Sequence, residues 1–471
     1  MSDDSGQYVN STEDSNPIQN LLAELQQLAD HPRIVSNAEE LEALERDIRQ
    51  LSDRVGSLIV GQHLQHALES AVVQQEEAAL VKAWPKPLRN DGKQTVMIRT
   101  AQGMSVAVRA TYYRRKGRRR GHKRHPGVYA GLVVLGIHER CTPGLTSEIS
   151  MLSAMLGSLE EARQVFLERG LEFDVKTLRT ITYACARRAR LVQQMETQRF
   201  EETVAGRRVV IGCDGGRIRL REAKRGKKSP KGRRRYRGAW REPKLLIIHV
   251  VDASGRRLKS FVPLMDATLK GPEALFKLLQ SYLQRLDISQ ADQVLFVSDG
   301  APWIWKRVAV LTRTLGLKGD QVYELIDFYH AVEHLAKVAS LRKGWSSKQR
   351  KQWVARHRRW LLKGQVARVI EAVRNICRGR NSKAIRTQRD YFINNAARMA
   401  YAKIMALNLP IGSGAVESAI RRVVNLRLKG PGIFWCKDNA EAMLMLRAYY
   451  KAGRWDLLKH IANSPLSRLA S

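Results

Sequence analysis

The sequence predicts an α/β protein: a mixed sheet carrying a large all-α insertion, with helical regions ahead of it. Three observations predict it. From Arg207 onward, apolar runs stop abruptly at turn residues, as strands do, in RRVVIGCDGG, KLLIIHVVDASG and QVLFVSDG. Amphipathic stretches alternate with them, from Gly271 to Leu286 and from Pro302 to Leu315. Residues 331–408 then read as helix throughout, too long for a loop inside a compact domain.

Bulk properties narrow the class. A chain of 471 residues with 44% hydrophobic content can bury a sizeable core and suggests two to four domains. Its formal charge of +37 would repel itself unless offset, so a polyanion is the first partner to consider. The excess lies in the body of the chain. Residues 1–82 hold 15 Asp/Glu against 5 Lys/Arg, leaving +47 for the remainder. Five cysteines, none in a CxxC pair, argue against a disulfide framework or a zinc ribbon. The N-terminus is polar and acidic, unlike a signal peptide. The best apolar run, Val128 to Ile137, stops at ten residues, well short of the roughly 20 a membrane span needs. A soluble protein in a reducing compartment is expected, working beside nucleic acid and not in a membrane.

Taken in order, residues 1–16 are rich in Ser, Asp and Asn and read as disordered. Residues 17–90 read as a helical region. In it Asn37 offers an N-cap to a seam of Leu41, Leu44, Ile48, Leu51, Val55 and Leu58, which serves either an intramolecular hairpin or a dimer contact. Residues 91–144 form a β-rich basic region. It alternates over 94–113 and then carries Arg114, Arg115, Lys116, Arg118, Arg119 and Arg120, a solvated charge run or a loop that reaches phosphates. Residues 145–200 read as three helices with a Gly170 turn between the last two, as in a helix-turn-helix. Asp174 caps the third, whose Lys176 and Arg179 would face DNA if the group reads it.

Residues 201–330 hold the strands. The order of three linked strands (the second being GRIRLRE), a helix, a strand, a helix and a strand is that of an RNase H-like fold. A basic hairpin tip between the second and third strands includes Lys227, Lys228, Arg233, Arg234 and Arg235. Residues 331–410 are the helical insertion, and 411–471 return to the sheet as C-terminal helices.

Three acids stand at abrupt ends of these elements: Asp214 before Gly215-Gly216, Asp299 before Gly300, and Glu417 just after Gly412-Ser413-Gly414. If the first and fourth strands are neighbours, Asp214 and Asp299 point from adjacent strand ends, and a returning helix brings Glu417 beside them. Phosphodiester chemistry needs such a cluster. Carboxylate oxygens are hard ligands for Mg2+, and two ions roughly 3.5–4 Å apart activate the attacking oxygen and stabilise the leaving one. Each acid alone has a plainer reading, an Asp-Gly turn or a helix-start charge. Trp303 and Trp305 read as packing groups, whereas Trp435 fits either the core or a stacked base.

The motifs GCDGGR (212–217), VSDGAPWIWK (297–306), DFYHAVEHL (327–335) and GSGAVESA (412–419) resemble those of the DDE transposases of ISKra-type bacterial insertion sequences, relatives of the Mutator-like group, over roughly residues 95–455. The resemblance implies that Asp214, Asp299 and Glu417 hold two Mg2+ ions, with Mn2+ able to substitute. Asp327 and His330 match the D-x-x-H signature and imply an active-site or DNA-end role, beside the plainer reading of a buried polar pair. Arg421 and Arg422, one turn beyond Glu417, would meet phosphates, or are surface charge. Where several relatives carry Cys pairs in the β-rich region, this chain is Arg/His-rich. The implied activity is metal-dependent cleavage at transposon ends and transfer of the freed 3′-OH into target DNA, by a homodimer or larger assembly on double-stranded DNA in the bacterial cytoplasm. A nuclease or resolvase without strand transfer, or a domesticated or guide-associated DNA-binding protein with idle catalysis, are the alternatives.

Overall fold

The structure, a computed structural model, describes residues 17–115, 127–230, 232, 234–379 and 382–464. The expected disorder of residues 1–16 lies outside these, as do Arg118, Arg119, Arg120, Arg233 and the side chain of Arg115. The chain divides into two units, Met1–Met195 with Lys459–Ser471, and Glu196–Leu458.

The first unit begins with α1 (Pro17–Asp30), α2 (Ala38–Glu69) and α3 (Ala71–Lys82). Asn37 caps α2 by accepting from the Glu40 N–H at 2.9 Å. The apolar seam of α2 divides along its length. Val55 is buried and Leu44, Leu51 and Leu58 are half-buried, while Leu41 and Ile48 are 48% and 41% exposed; the buried Leu64 and Leu68 lie beyond the seam. A three-stranded antiparallel sheet follows, of β1 (Leu88–Arg99), β2 (Ser105–Arg115) and β3 (Val128–Tyr129). α2 lies on it closely because Gly61 faces Val106, where even a Cβ would come within 3.1 Å. The short α4 (Ala130–Val134) leads to α5 (Pro143–Met155), α6 (Leu159–Glu168) and α7 (Val175–Met195), which share a core of Leu145, Ile149, Phe166, Leu178 and Ile181. Gly170 turns between α6 and α7 at φ +75, and Asp174 accepts from the Thr177 N–H at 2.5 Å.

The second unit is built on five strands: β4 (Arg208–Gly215), β7 (Lys244–Val251), β8 (Leu264–Thr268), β9 (Gln293–Ser298) and β10 (Val322–Ile326). Their order is β10-β9-β4-β7-β8. β4, β7 and β8 are antiparallel, whereas β9 and β10 run parallel to β4. The sheet is therefore mixed. Every residue of β7 and β8 is buried, as expected when both faces are covered. GRIRLRE does not join this sheet, contrary to the sequence reading. It is β5 (Ile218–Ala223), paired only with β6 (Tyr236–Arg241) as a separate two-stranded ribbon. The third strand of the sheet is instead β8, LMDAT, whose central Asp266 hides it from a hydrophobicity scan. That carboxylate is fully buried and accepts from the Tyr282 hydroxyl at 3.0 Å.

α8 (Pro272–Arg285) and α9 (Pro302–Thr314) cover the sheet. The chain after β10 is helical: α10 (Phe328–Ser340), α11 (Ser347–Leu362), α12 (Val366–Cys377), α13 (Lys383–Asn394) and α14 (Tyr401–Ala406), the stretch read as an insertion. It shares the sheet's core through Phe328, Leu335, Leu361, Val369, Phe392 and Tyr401. α15 (Gly414–Ile420) then packs on β4 and β7. A π-helical turn, Arg421–Asn425, and α16 (Leu426–Leu428) follow, then α17 (Lys437–Ala452) against β8, and α18 (Trp455–Asn463). Among the described residues no helix is long and apolar enough to cross a membrane.

Because Phe392 is fully buried in the core shared by insertion and sheet, Phe392→Ala should lower unfolding stability by about 3–5 kcal/mol. Urea titration of the two proteins measures it. A loss under about 1 kcal/mol would mean that the insertion does not share the core.

Candidate active site

The two strand-end aspartates owe their positions to the parallel β4–β9 pair. The paired residues run as far as Ile211↔Phe296, and the Cys213 N–H then bonds the Ser298 hydroxyl at 3.0 Å, continuing the link to the strand ends. Asp214 and Asp299 follow immediately, so they leave the sheet from adjacent strands. Each carboxylate is held by a backbone N–H just after it, for Asp214 that of the last residue of β4 and for Asp299 that of the turn into α9. Asp214 accepts from the Gly215 N–H at 2.6 Å and Asp299 from the Ala301 N–H at 3.0 Å. The Trp305 indole donates to the Asp299 carbonyl at 2.8 Å, which fixes that turn from α9.

Glu417 arrives from the far side of the insertion. The helix carrying it lies over β4 because position 212 is glycine, where a Cβ would sit 3.1 Å from the Val416 Cβ. The loop before that helix is tied down by Asp327, whose carboxylate is fully buried. One oxygen accepts from the His330 N–H at 2.7 Å and caps α10, while the other accepts from the Ser413 N–H. The backbone adds two further ties, Asp327 N–H to Ser298 O at 2.8 Å and Phe328 N–H to Ile411 O at 3.0 Å. Asp327 is thus bonded to the residue before Asp299 and to a residue four before Glu417.

His330 stands between acids. Its Nδ1 is 3.6 Å from Asp327 Oδ1 and 3.7 Å from Glu417 Oε1, and the Ser413 hydroxyl donates to the same Glu417 oxygen at 3.3 Å. Asp327, His330 and Glu417 form a group whose ligand atoms all lie within 4.8 Å of one another. Asp214, Asp299 and Glu417 are not collected that tightly, but their charges reach each other. Asp214 is raised to about 6 by burial first, with Asp299 and Glu417 adding to the rise. His330 is raised to about 9 by its bond to Asp327, with Asp299 contributing. Burial alone would push Asp327 up. The hydrogen bonds from His330 and Ser413 outweigh it and hold that carboxyl at about 2. The site therefore holds an ionised carboxylate, a protonated imidazole, and a further carboxylate that ionises reluctantly.

Three neighbours carried no signal in the sequence. Tyr391, on α13, presses its ring against Gly300, where no Cβ would fit, and stacks on His334 at 3.6 Å between centroids. Burial, then the charges of Asp299 and Asp327, push its hydroxyl up. Lys244 is buried beside the end of β4, pairs with Glu242 at 2.6 Å, and lies 4.2 Å above the Trp303 ring. Arg447, also buried, donates to the carbonyls of Val423 (2.8 Å) and Arg422, and so clasps the π turn beyond Glu417.

The remaining candidates divide. Arg421 is exposed. Arg422 is half-buried and bonds the Lys451 carbonyl at 3.3 Å, so its guanidinium is already engaged. Lys176, Arg179, Lys227, Lys228, Arg234 and Arg235 are exposed, whereas Arg114 is half-buried and pairs with Asp91. Trp305 and Trp435 are buried, and the Trp435 indole donates to Leu428 O at 3.1 Å, a packing role for both.

No protein-family model matches the chain, and no curated protein does. Among solved structures, a Drosophila P element transposase strand transfer complex aligns at 12% identity with a TM-score of 0.25, over 68% of this chain and 80% of that one. A score that low supports no argument about fold or chemistry.

Two titrations should be visible in the stability of the chelated protein. Asp214, raised to about 6 when folded, stabilises fully below its ordinary value of 3.8, and that contribution is lost as pH rises through about 6. His330, raised to about 9, stabilises fully below 6.5 and loses its contribution as pH rises through about 9. The melting temperature should therefore carry a falling component from both groups between pH 4 and 9. Asp214→Asn should remove the lower part of that component and His330→Gln the upper part. Variants whose pH profiles parallel the parent would show that these couplings are absent.

Proposed function

We propose that this chain is a DNA transposase on an RNase H-like fold, with Asp214, Asp299 and Glu417 as ligands for two Mg2+ ions that Mn2+ can replace. One observation carries the reading. Two acids leave the ends of adjacent parallel strands, and a third, on a helix packed over the first strand, lies within reach of their charges. The strand order, with three antiparallel strands followed by two parallel ones on the far side of the first, is the order an RNase H-like sheet requires. The four motifs quoted above add to it, since GCDGGR, the start of VSDGAPWIWK and Asp327 of DFYHAVEHL fall at strand ends and GSGAVESA opens the returning helix.

The donor set fits a hard divalent cation. All three proposed ligands are carboxylates, and their mutual crowding, on top of burial, holds Asp214 near 6, a cost that a cation would relieve. Bound there, a pair of such ions would supply the charge that lowers the pKa of the attacking water or 3′-OH and neutralises the leaving oxygen. The chain's own part is positioning. Asp214 is fixed by its strand and the Gly215 N–H, Asp299 by its turn, and Asp327 sets the loop from which Glu417 springs. His330, protonated, bears on Glu417 and steadies it between the acids. Exposed Arg421 and the ribbon lysines Lys227 and Lys228 meet phosphates of double-stranded DNA, both transposon ends and target. Joining two ends requires a dimer or larger assembly.

Duplexes from the DNA flanking the coding region, mixed with a target plasmid and Mg2+, should be nicked and then joined to the plasmid. Asp299→Ala should bind these duplexes within about twofold of the parent and cleave at least about a hundredfold more slowly. Cutting without joining would favour a nuclease or resolvase, binding without cutting a domesticated protein, and cleavage untouched by Asp299→Ala would remove the site. Electrostatic contact is measured separately. Lys227→Ala with Lys228→Ala should lower the slope of log affinity against log salt by about 1.8, roughly 0.9 for each lost phosphate contact. An unchanged slope would take both lysines off the DNA.

A further inference from the structure

The β5–β6 ribbon has two unlike faces. On one, Ile218 and Leu220 are buried, and Glu222 pairs with Arg237 at 3.1 Å and with Arg241. The other face is a ladder of rings and guanidinium groups. In register, Arg219 lies opposite Trp240, Arg221 opposite Gly238, and Ala223 opposite Tyr236. Arg217 and Arg219 sit 5.4 and 5.5 Å from the Trp240 ring, Arg219 is 4.5 Å from Phe434, and Arg221 is 4.9 Å from Tyr236. Gly238 makes room for this arrangement, because a Cβ there would strike the Phe434 ring. Tyr236 meets Phe434 edge-on at 5.8 Å, which holds the rings apart as separate platforms.

This face is built but not covered. Trp240 and Tyr236 remain 48% and 44% exposed, a large apolar area to leave in water on a two-stranded ribbon. Charge identifies what would cover it. Residues 217–241 carry thirteen Lys/Arg against a single acid, so the occupant is a polyanion with flat apolar faces. Unpaired nucleic-acid bases meet both demands: they stack on aromatic rings while arginines hold the backbone. Bases in an intact duplex do not, because their faces are already stacked on each other. The ribbon starts at Ile218, four residues after Asp214, so a strand lying on it would run beside the strand-end acids.

We infer that the Tyr236–Trp240 face of this ribbon is a binding site for single-stranded DNA, which stacks unpaired bases next to the acidic site. The inference rests on the proposed function for its choice of DNA. It goes beyond it in assigning the aromatic rings, and in distinguishing this face from the basic tip that meets duplex phosphates.

Fluorescence anisotropy of the full chain tests it, with a labelled 20-nucleotide oligo(dT), the matching length of oligo(rU), and a 20-base-pair duplex, all at one salt concentration. Tyr236→Ala with Trp240→Ala should weaken oligo(dT) binding about tenfold or more and duplex binding less than twofold. Trp240→Phe, which keeps a stacking face, should stay within about threefold of the parent on oligo(dT). Equal losses on single strand and duplex, no loss on oligo(dT), or failure of the phenylalanine variant to retain binding would each overturn the proposal. A tenfold or greater preference for oligo(rU) over oligo(dT) would overturn the choice of DNA. Cleavage of duplex ends by the same preparations is read separately. Cleavage with no ring-dependent binding removes this site alone, while ring-dependent binding with no cleavage leaves it standing and removes the nuclease.

Discussion

The arrangement depends on one buried carboxylate. Asp327 is wholly removed from solvent, and an ionised group in that position is tolerable only if its oxygens are fully engaged. They are, by the His330 and Ser413 N–H groups, and the price of desolvation is met by fixing three segments at once. Those segments are the end of β10, the first turn of α10 and the loop ahead of α15. Asp299, next to one of the anchors, and Glu417, four residues beyond another, inherit their positions from it. Structural and electrostatic roles coincide here, since the same carboxylate that caps a helix also keeps His330 charged.

The local field around these acids runs against that of the whole molecule. A chain with a formal charge of +37 keeps a small negative cluster at the strand ends, with the His330 imidazolium set against it. Positive charge gathers instead on the β5–β6 ribbon and on exposed positions of α7. On the proposed function, such a division would draw DNA in by broad attraction and set its phosphates beside the acidic site. Arg447 belongs to this economy too. Its buried guanidinium donates to backbone carbonyls of the π turn, so it shapes the helix beyond Glu417.

Much of this was legible in the sequence because it is written in local patterns. Apolar runs that stop at Asp-Gly gave β4 and β9, the long helical stretch gave α10 to α14, and Asn37 and Asp174 cap the helices they precede. What escaped depends on contacts between distant residues. GRIRLRE alternates like any strand, and nothing in it tells that its partner is YRGAWR and not the main sheet. LMDAT carries an acid in its middle and so shows no apolar run, and the fold brings the Tyr282 hydroxyl to Asp266. The seam of α2 reads as continuous, yet of its six residues Val55 alone is buried and Leu41 and Ile48 face out. Tyr391 and Arg447 reach the site only through the fold, and no spacing announces them.

The ties at Asp327 and Phe328 have a consequence for how this chain can vary. The backbone leaves β10 and comes back at Ile411 across a single hydrogen bond of 3.0 Å, so the long helical excursion is a detour with its two feet side by side. Closing a longer or shorter detour changes the entropic cost only slowly with length. The connections between those helices are free to vary in length, provided the side chains they lend to the sheet's core and the stub at each foot survive. Length polymorphism should concentrate between the feet and leave the spacing from Ile411 to Glu417 untouched.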